Sequence, residues 1–230
     1  DGVGDGQSHP SPMVEVLAHH RDRWGHIDHF DDFLPLLTYD HFDAESWAQL
    51  VTSTGAGFTV AVAKHHDGWA WWDAPATDRT MLRGGPHRNV LAEYLAACER
   101  NGLVVGTYYS LLDWSSAAPL NAQGVTDAIR MQVLDLVERY ESKLLWVDLQ
   151  DGPNQMLSEV RSLVDGDSAN NRDVVINDQY LTFDGDPPDH IIDTPWMLCR
   201  GIGQGLGHNQ AERREHQLSG HAIVALLTEV

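Results

Sequence analysis

Apolar positions along the chain fall into short continuous runs that are separated by stretches with apolar residues at helical spacing. The continuous runs predict strands buried on both faces over residues 58–63, 103–109, 143–149 and 173–178, with a weaker strand near 190–196. The helical spacing predicts helices over residues 43–54, 89–100, 124–140, 154–164 and 216–227. Strands that alternate with helices in this way predict an α/β fold built on a parallel sheet.

Two early segments lack this alternation. Residues 1–12 are rich in Gly, Pro and Ser and indicate an arm or a tail. Residues 13–42 are dense in His, Asp and aromatic residues without clear periodicity. We therefore expect an irregular loop region there, with a functional role, rather than a core element.

Polar residues close four of the predicted strands, in the motifs KHHDG, YYSLLDW, VDLQDG and NDQ. Reactive side chains at the C-terminal ends of several strands are typical of a (β/α) barrel, whose loops converge on one face. A doubly wound dinucleotide fold would instead need a G-x-G-x-x-G turn after its first strand. The glycine-rich residues 201–207 come late and follow the weakest strand. The pattern favours one TIM-like barrel domain over residues 1–230.

The charge composition argues against two classes of binding partner. Asp and Glu number 34 against 15 Lys and Arg in 230 residues, so the net charge is −19. Such a surface repels phosphate backbones and anionic membranes, which argues against nucleic-acid or membrane partners. No apolar run approaches the roughly 20 residues that span a bilayer. Neutral substrates remain open, and the eight Trp residues suit either core packing or the apolar faces of a sugar.

His65 and His66 stand together at the end of the first predicted strand, followed by Asp67 and Gly68. Both imidazoles could bind ligand hydroxyl groups there, as donors or acceptors. Two alternatives remain: the pair could cap strand carbonyls, or, with an Asp, hold zinc.

Asp148 follows five largely apolar residues, and Asp178 ends the later run VVIND. An unpaired buried carboxylate costs several kcal/mol, so each is expected to be hydrogen-bonded or to face the barrel mouth. Glycoside hydrolysis needs two carboxyl groups that flank the bond. Asp148 is the first candidate, and the acidic residues 184–193 are placed by chain order to supply the second.

These motifs resemble glycoside hydrolase family 29, the retaining α-L-fucosidases, from about residue 12 to the end. The matching segments are HHRDRWG with DDFLPLLTYDHFDAESWAQL, AKHHDGWAWWD with GGPHRNV, and then GTYYSLLDW, LLWVDLQ and VVINDQ in order. The resemblance implies a (β/α) barrel that removes terminal α-L-fucose from glycosides with retention and without a cofactor.

The resemblance also implies roles for individual residues. His65, His66 and Tyr108 would line the fucose hydroxyls, Trp146 would form an aromatic wall, and Asp148 would be the nucleophile. Glu15 occupies the place of the Glu in the family's sugar-contacting Glu-Trp pair, whose Trp is replaced by Val16.

The acid/base position varies within the family. Asp189 is our candidate, with Asp186 and Asp193 as nearby alternatives, because Trp196 is followed by Met197 rather than Glu. Gln179 stands where the family has an Arg. Because the family's Trp and Arg are replaced by Val16 and Gln179, a weakly active or inactive fucose-binding barrel is an alternative. A metal-dependent barrel hydrolase is another.

Segments that resemble the family's first and last barrel strands and its C-terminal β-sandwich are not found in this sequence. We count about six strands, so the barrel is expected to be incomplete. Because open barrels expose strand edges and apolar surface, we expect a homodimer or higher homo-oligomer that covers them.

Overall fold

The computed structural model describes residues 12–25, 27, 30–116, 122–148, 159–160, 162–164, 174–176 and 219–221. In chain order the elements are α1 (Pro12–Trp24), a 3-10 helix (Phe30–Leu36), α2 (Ala44–Ser53), β1 (Phe58–Lys64), α3 (Val90–Arg100), β2 (Val104–Ser110), α4 (Gln123–Glu138), β3 (Leu144–Asp148) and β4 (Val175–Ile176). None of the described helices has the length and apolar character needed to cross a bilayer.

The four strands form one parallel sheet in the order β1-β2-β3-β4. This confirms the predicted α/β class and four predicted strands, while residues 190–196 lie outside the described part of the chain. Gly106 allows the close approach of β2 and β3, since a Cβ there would lie 2.8 Å from the carbonyl oxygen of Leu144. Because all four strands run parallel, their carboxyl ends lie at the same end of the sheet.

Side-chain caps explain where two predicted helices begin. Asp43 accepts hydrogen bonds from the backbone N–H groups of Glu45 and Ser46 at the start of α2. Asn89 accepts one from Ala92 at the start of α3. At the end of α3, Gly102 adopts φ +76°, and the N–H of Leu103 returns to the carbonyl of Cys98.

The expectation of an irregular loop over residues 13–42 was wrong. That segment contains α1 and the 3-10 helix. Among the side chains of α1 that the structure describes, Val14, Val16 and Leu17 are all exposed and so form no buried stripe. A helix without an apolar face leaves no periodic signal in the sequence.

The core lies between the sheet and its helices. Tyr109, Leu145 and Val147 of the strands are buried against residues such as Val133 and Leu136 of α4. Because side chains alternate along a strand, the neighbouring residues point to the opposite face of the sheet. That second face carries Tyr108, Trp146 and Asp148.

Candidate active site

The turn after β1 presents the two histidines. Its Gly68 adopts φ +78°, and the backbone N–H of Gly68 donates to the carbonyl of His65. A Cβ at this position would lie 2.3 Å from Oδ1 of Asp113, so the turn requires glycine for its conformation and for space. The KHHDG motif is thus held tightly against the loop that follows β2.

The register of β2 and β3 places their functional residues side by side. Tyr108 is opposite Trp146, and Ser110 is opposite Asp148. The Tyr108 hydroxyl donates a hydrogen bond to Oδ2 of Asp148. Burial, and then this contact, raises the pKa of Tyr108 well above its ordinary value. The phenol therefore keeps its proton and remains a donor to the carboxylate.

His66 follows β1 and lies against the last residues of β2 and β3. Its Nδ1 lies 2.6 Å from Oγ of Ser110, and its Nε2 lies 3.6 Å from Oδ2 of Asp148. The residue is only 4% exposed, and burial is the main cause that lowers its pKa, with the neighbouring His65 adding to the effect. A neutral imidazole beside the carboxylate is therefore the favoured state near pH 7.

Two aromatic rings flank Tyr108, the hydrogen-bond donor to Asp148. The His65 ring stacks on Tyr108 with centroids 5.2 Å apart and an interplanar angle of 18°. Trp146 meets Tyr108 edge-on at 5.7 Å. The indole N–H of Trp146 is buried and has no hydrogen-bond partner within the described part of the chain. A buried donor of this kind is suited to a ligand oxygen.

The structure brings together five of the seven residues that the sequence singled out: His65, His66, Tyr108, Trp146 and Asp148. Glu15 lies in α1, but its side chain is outside the described residues, as is the whole of Asp189. Asp178, Asp186 and Asp193 are outside them too.

The same cluster offers donors for a metal ion. Ligand atoms of His65, His66 and Asp148 all lie within 4.8 Å of one another. Two imidazole nitrogens and a carboxylate oxygen are donors that zinc accepts. Oδ2 of Asp148, however, already accepts the Tyr108 hydroxyl.

Sequence reasoning overlooked two polar residues that support the site. Ser110 closes β2 and hydrogen-bonds His66. Lys64 closes β1, is 4% exposed, and its Nζ donates to the carbonyl of Leu112 at 2.9 Å. A single charged or hydroxyl residue at the end of an apolar run was the signal that could have identified both.

Burial of Lys64 predicts a pH-dependent stability. Desolvation lowers its pKa from 10.5 to about 8, although Asp113 and Asp67 oppose the shift. The unfolded chain therefore binds more protons between these values, so the free energy of unfolding rises with pH. Relative to Lys64→Met, which cannot titrate, we expect the native chain to gain about 2 kcal/mol between pH 7 and pH 9.5 in urea unfolding. Parallel pH curves for the two proteins would contradict this.

Comparison with known proteins establishes the family. Residues 5–230 match the family model described as alpha-L-fucosidase. The chain belongs to the α-L-fucosidase family. It is 24% identical over 239 residues to an alpha-L-fucosidase of Dictyostelium discoideum, covering 92% of this chain and 52% of the relative. It is 28% identical over 197 residues to human tissue alpha-L-fucosidase, covering 75% of this chain and 42% of that protein.

Solved structures of α-L-fucosidases share the fold. A crystal structure of Thermotoga maritima alpha-fucosidase matches 96% of this chain and 54% of its own, with 28% identity and a TM-score of 0.70. A structure described as alpha-L-fucosidase matches 93% of this chain and 53% of its own, with 26% identity and a TM-score of 0.72. This α-L-fucosidase family member spans about half the length of these relatives.

Proposed function

We propose that this chain is a retaining α-L-fucosidase that removes terminal α-L-fucose from neutral glycosides, with Asp148 as its nucleophile. The observation that carries the proposal is the Asp148 carboxylate, which is 19% exposed at the end of β3 between the Tyr108 hydroxyl and Nε2 of His66. Family membership supports the reaction, and the strongly acidic composition suits a neutral substrate.

In the first step, an oxygen of Asp148 forms a bond to the anomeric carbon while the bond to the leaving oxygen breaks. Oδ1 is the better placed attacking atom, because Oδ2 accepts the Tyr108 hydrogen bond. A proton must pass to the leaving oxygen, and Asp189 is our candidate to deliver it. In the second step water releases fucose, with the same acid now acting as base.

The remaining side chains bind the sugar. His65 is exposed at the mouth and His66 lies beside the carboxylate, so both can hydrogen-bond fucose hydroxyls. Trp146 offers both a ring face and a buried N–H without a partner among the described residues. We place Glu15 in the same binding role by resemblance alone.

The decisive experiment follows hydrolysis of an aryl α-L-fucoside by nuclear magnetic resonance. We expect fucose to appear first as the α anomer, and the rate to be unchanged by a chelator. First appearance of the β anomer would contradict the proposed double displacement. Chelator-sensitive hydrolysis would favour the second candidate function, a metal-dependent hydrolase that uses the cluster of two imidazoles and a carboxylate. Fucose binding without hydrolysis would indicate an inactive barrel.

We further propose that the parallel sheet belongs to a TIM-like barrel. Its four described strands follow chain order without the reversal that defines a doubly wound sheet. Functional residues also gather at the carboxyl ends of three neighbouring strands, as they do in barrels.

We propose that a second copy of the chain covers one side of the described sheet. Within the described part of the chain, β1 pairs with β2 and has no strand partner on its other edge. Phe58 and Val62 of β1 are exposed apolar residues. Natural proteins cover or pair such edges.

Sedimentation velocity at micromolar concentration tests this proposal. We expect a dimer or larger species for the native chain and a shift toward monomer for Phe58→Lys, since a charge on the exposed apolar face of β1 opposes its burial against a second copy. Met131→Lys, at a similarly exposed position on α4, serves as the matched control and should not change the distribution. A folded native monomer would refute the proposed assembly.

A further inference from the structure

Trp114 lies in the loop after β2, directly against the candidate site. Its backbone N–H donates to the carbonyl of His66 at 2.7 Å. Its indole ring lies 5.2 Å from the imidazole of His66, with an interplanar angle of 51°. Because Nε2 of that imidazole is 3.6 Å from Oδ2 of Asp148, the indole is separated from the nucleophile by a single side chain.

The loop that carries this indole is held in place before any ligand binds. The buried Lys64 donates to the carbonyl of Leu112, two residues before Trp114. Asp113 lies against Gly68 and accepts hydrogen bonds from the backbone and hydroxyl of Ser115. The ring position is therefore preset, which lowers the entropic cost of using it as a binding surface.

Trp114 is much more exposed than the site residue that it contacts. Trp114 is 61% exposed, whereas His66 beneath it is 4% exposed. Trp47 is also half exposed, at 52%, but its ring packs on Phe42 and Tyr94. It lies in α2, outside the catalytic cluster, by which we mean His65, His66, Tyr108, Trp146 and Asp148. Trp114 thus combines high exposure with a position against the candidate site.

We propose that Trp114 is an aromatic platform for the leaving group of the substrate. Its indole ring stacks on the apolar face of the sugar ring to which fucose is attached. The inference rests on the proposed fucosidase activity. With fucose at Asp148, the next ring lies one position further out, where an indole face packs well on C–H groups. Trp114 then determines specificity, favouring substrates whose leaving group is itself a ring.

Two substrates that differ only in the leaving group test the platform. α-L-Fucosyl fluoride has no leaving ring, whereas an α-L-fucosyl-galactose disaccharide has one. For Trp114→Ala we expect the ratio of kcat/KM for the disaccharide to kcat/KM for the fluoride to fall about tenfold, the upper range for one aromatic contact. Trp114→Phe, which keeps a smaller ring, should recover part of that ratio.

Trp47→Ala is the matched control, because it removes an indole of similar exposure that does not contact the catalytic cluster. It should leave the ratio unchanged. If Trp114 had a purely structural role, its replacement would lower kcat/KM for both substrates equally and the ratio would stay constant. That result would refute the platform while leaving the fucosidase proposal intact. If the native chain hydrolyses neither substrate, the proposed function itself fails and the platform with it.

Discussion

Asp148→Asn is expected to lower the rate of fucoside hydrolysis by about a thousandfold or more, because an amide cannot form the proposed covalent intermediate. The substitution keeps the size and shape of the side chain. Its amide oxygen can still accept the hydrogen bond that Tyr108 donates to Asp148 in the native chain. We therefore expect fucose affinity, measured by calorimetry, and the free energy of unfolding to change little.

Asp127→Asn is the control for this variant. Asp127 is an exposed carboxylate on α4 that accepts a hydrogen bond from Gln123, so its replacement removes the same charge from a residue outside the proposed site. It should retain native activity. Normal hydrolysis by the Asp148 variant would require a different nucleophile.

Azide distinguishes the two carboxylates by product stereochemistry. In Asp148→Gly, azide can enter the vacated space, form the C–N bond and displace the leaving group, giving a fucosyl azide of inverted configuration. In Asp189→Ala, azide would attack the fucosyl-Asp148 intermediate from the opposite side and give the retained product. Asp189→Ala should also slow substrates with poor leaving groups most, because those depend on the donated proton. A retained azide product from the Asp148 variant would reverse the assignments.

Tyr108→Phe is expected to lower kcat by between about ten- and a hundredfold while the protein stays folded. The lost hydroxyl is the donor that orients Oδ2 of Asp148, and a misaligned nucleophile reacts far more slowly. Because its raised pKa keeps the native phenol protonated, the loss should be similar across the pH range of the proposed activity. Steady-state kinetics across pH would measure it.

The adjacent Tyr109→Phe supplies the matched control. Tyr109 points to the helix-facing side of the sheet, is fully buried, and donates to Oε1 of Gln132 on α4 at 2.6 Å. Its variant should lose about 1–2 kcal/mol in the free energy of unfolding, since it leaves a buried acceptor unpaired, and should keep its kcat. If both variants lost activity equally, the distinction between the two faces of β2 would be wrong.

The elements that carry the site were predictable because they are strongly patterned. β1, β2 and β3 are continuous apolar runs, and Asp43 and Asn89 begin their helices with side-chain caps. The segment of α1 was not predictable, because its exposed valines and leucine form no apolar stripe. Periodicity reports burial, so an exposed helix escapes it.

Residue types and their order were sufficient for the family, the parallel α/β class and the placement of His65, His66, Tyr108 and Asp148 at strand ends. These features depend on local pattern and on motif spacing, which a linear sequence contains in full. The tertiary structure alone decided that Tyr108 donates to Asp148, that His66 is buried beside Asp148, and that the Trp114 ring contacts the His66 ring. Those contacts join residues 40, 82 and 48 positions apart in the chain. Strand register and packing set such distances, and neither is encoded in any short stretch of sequence.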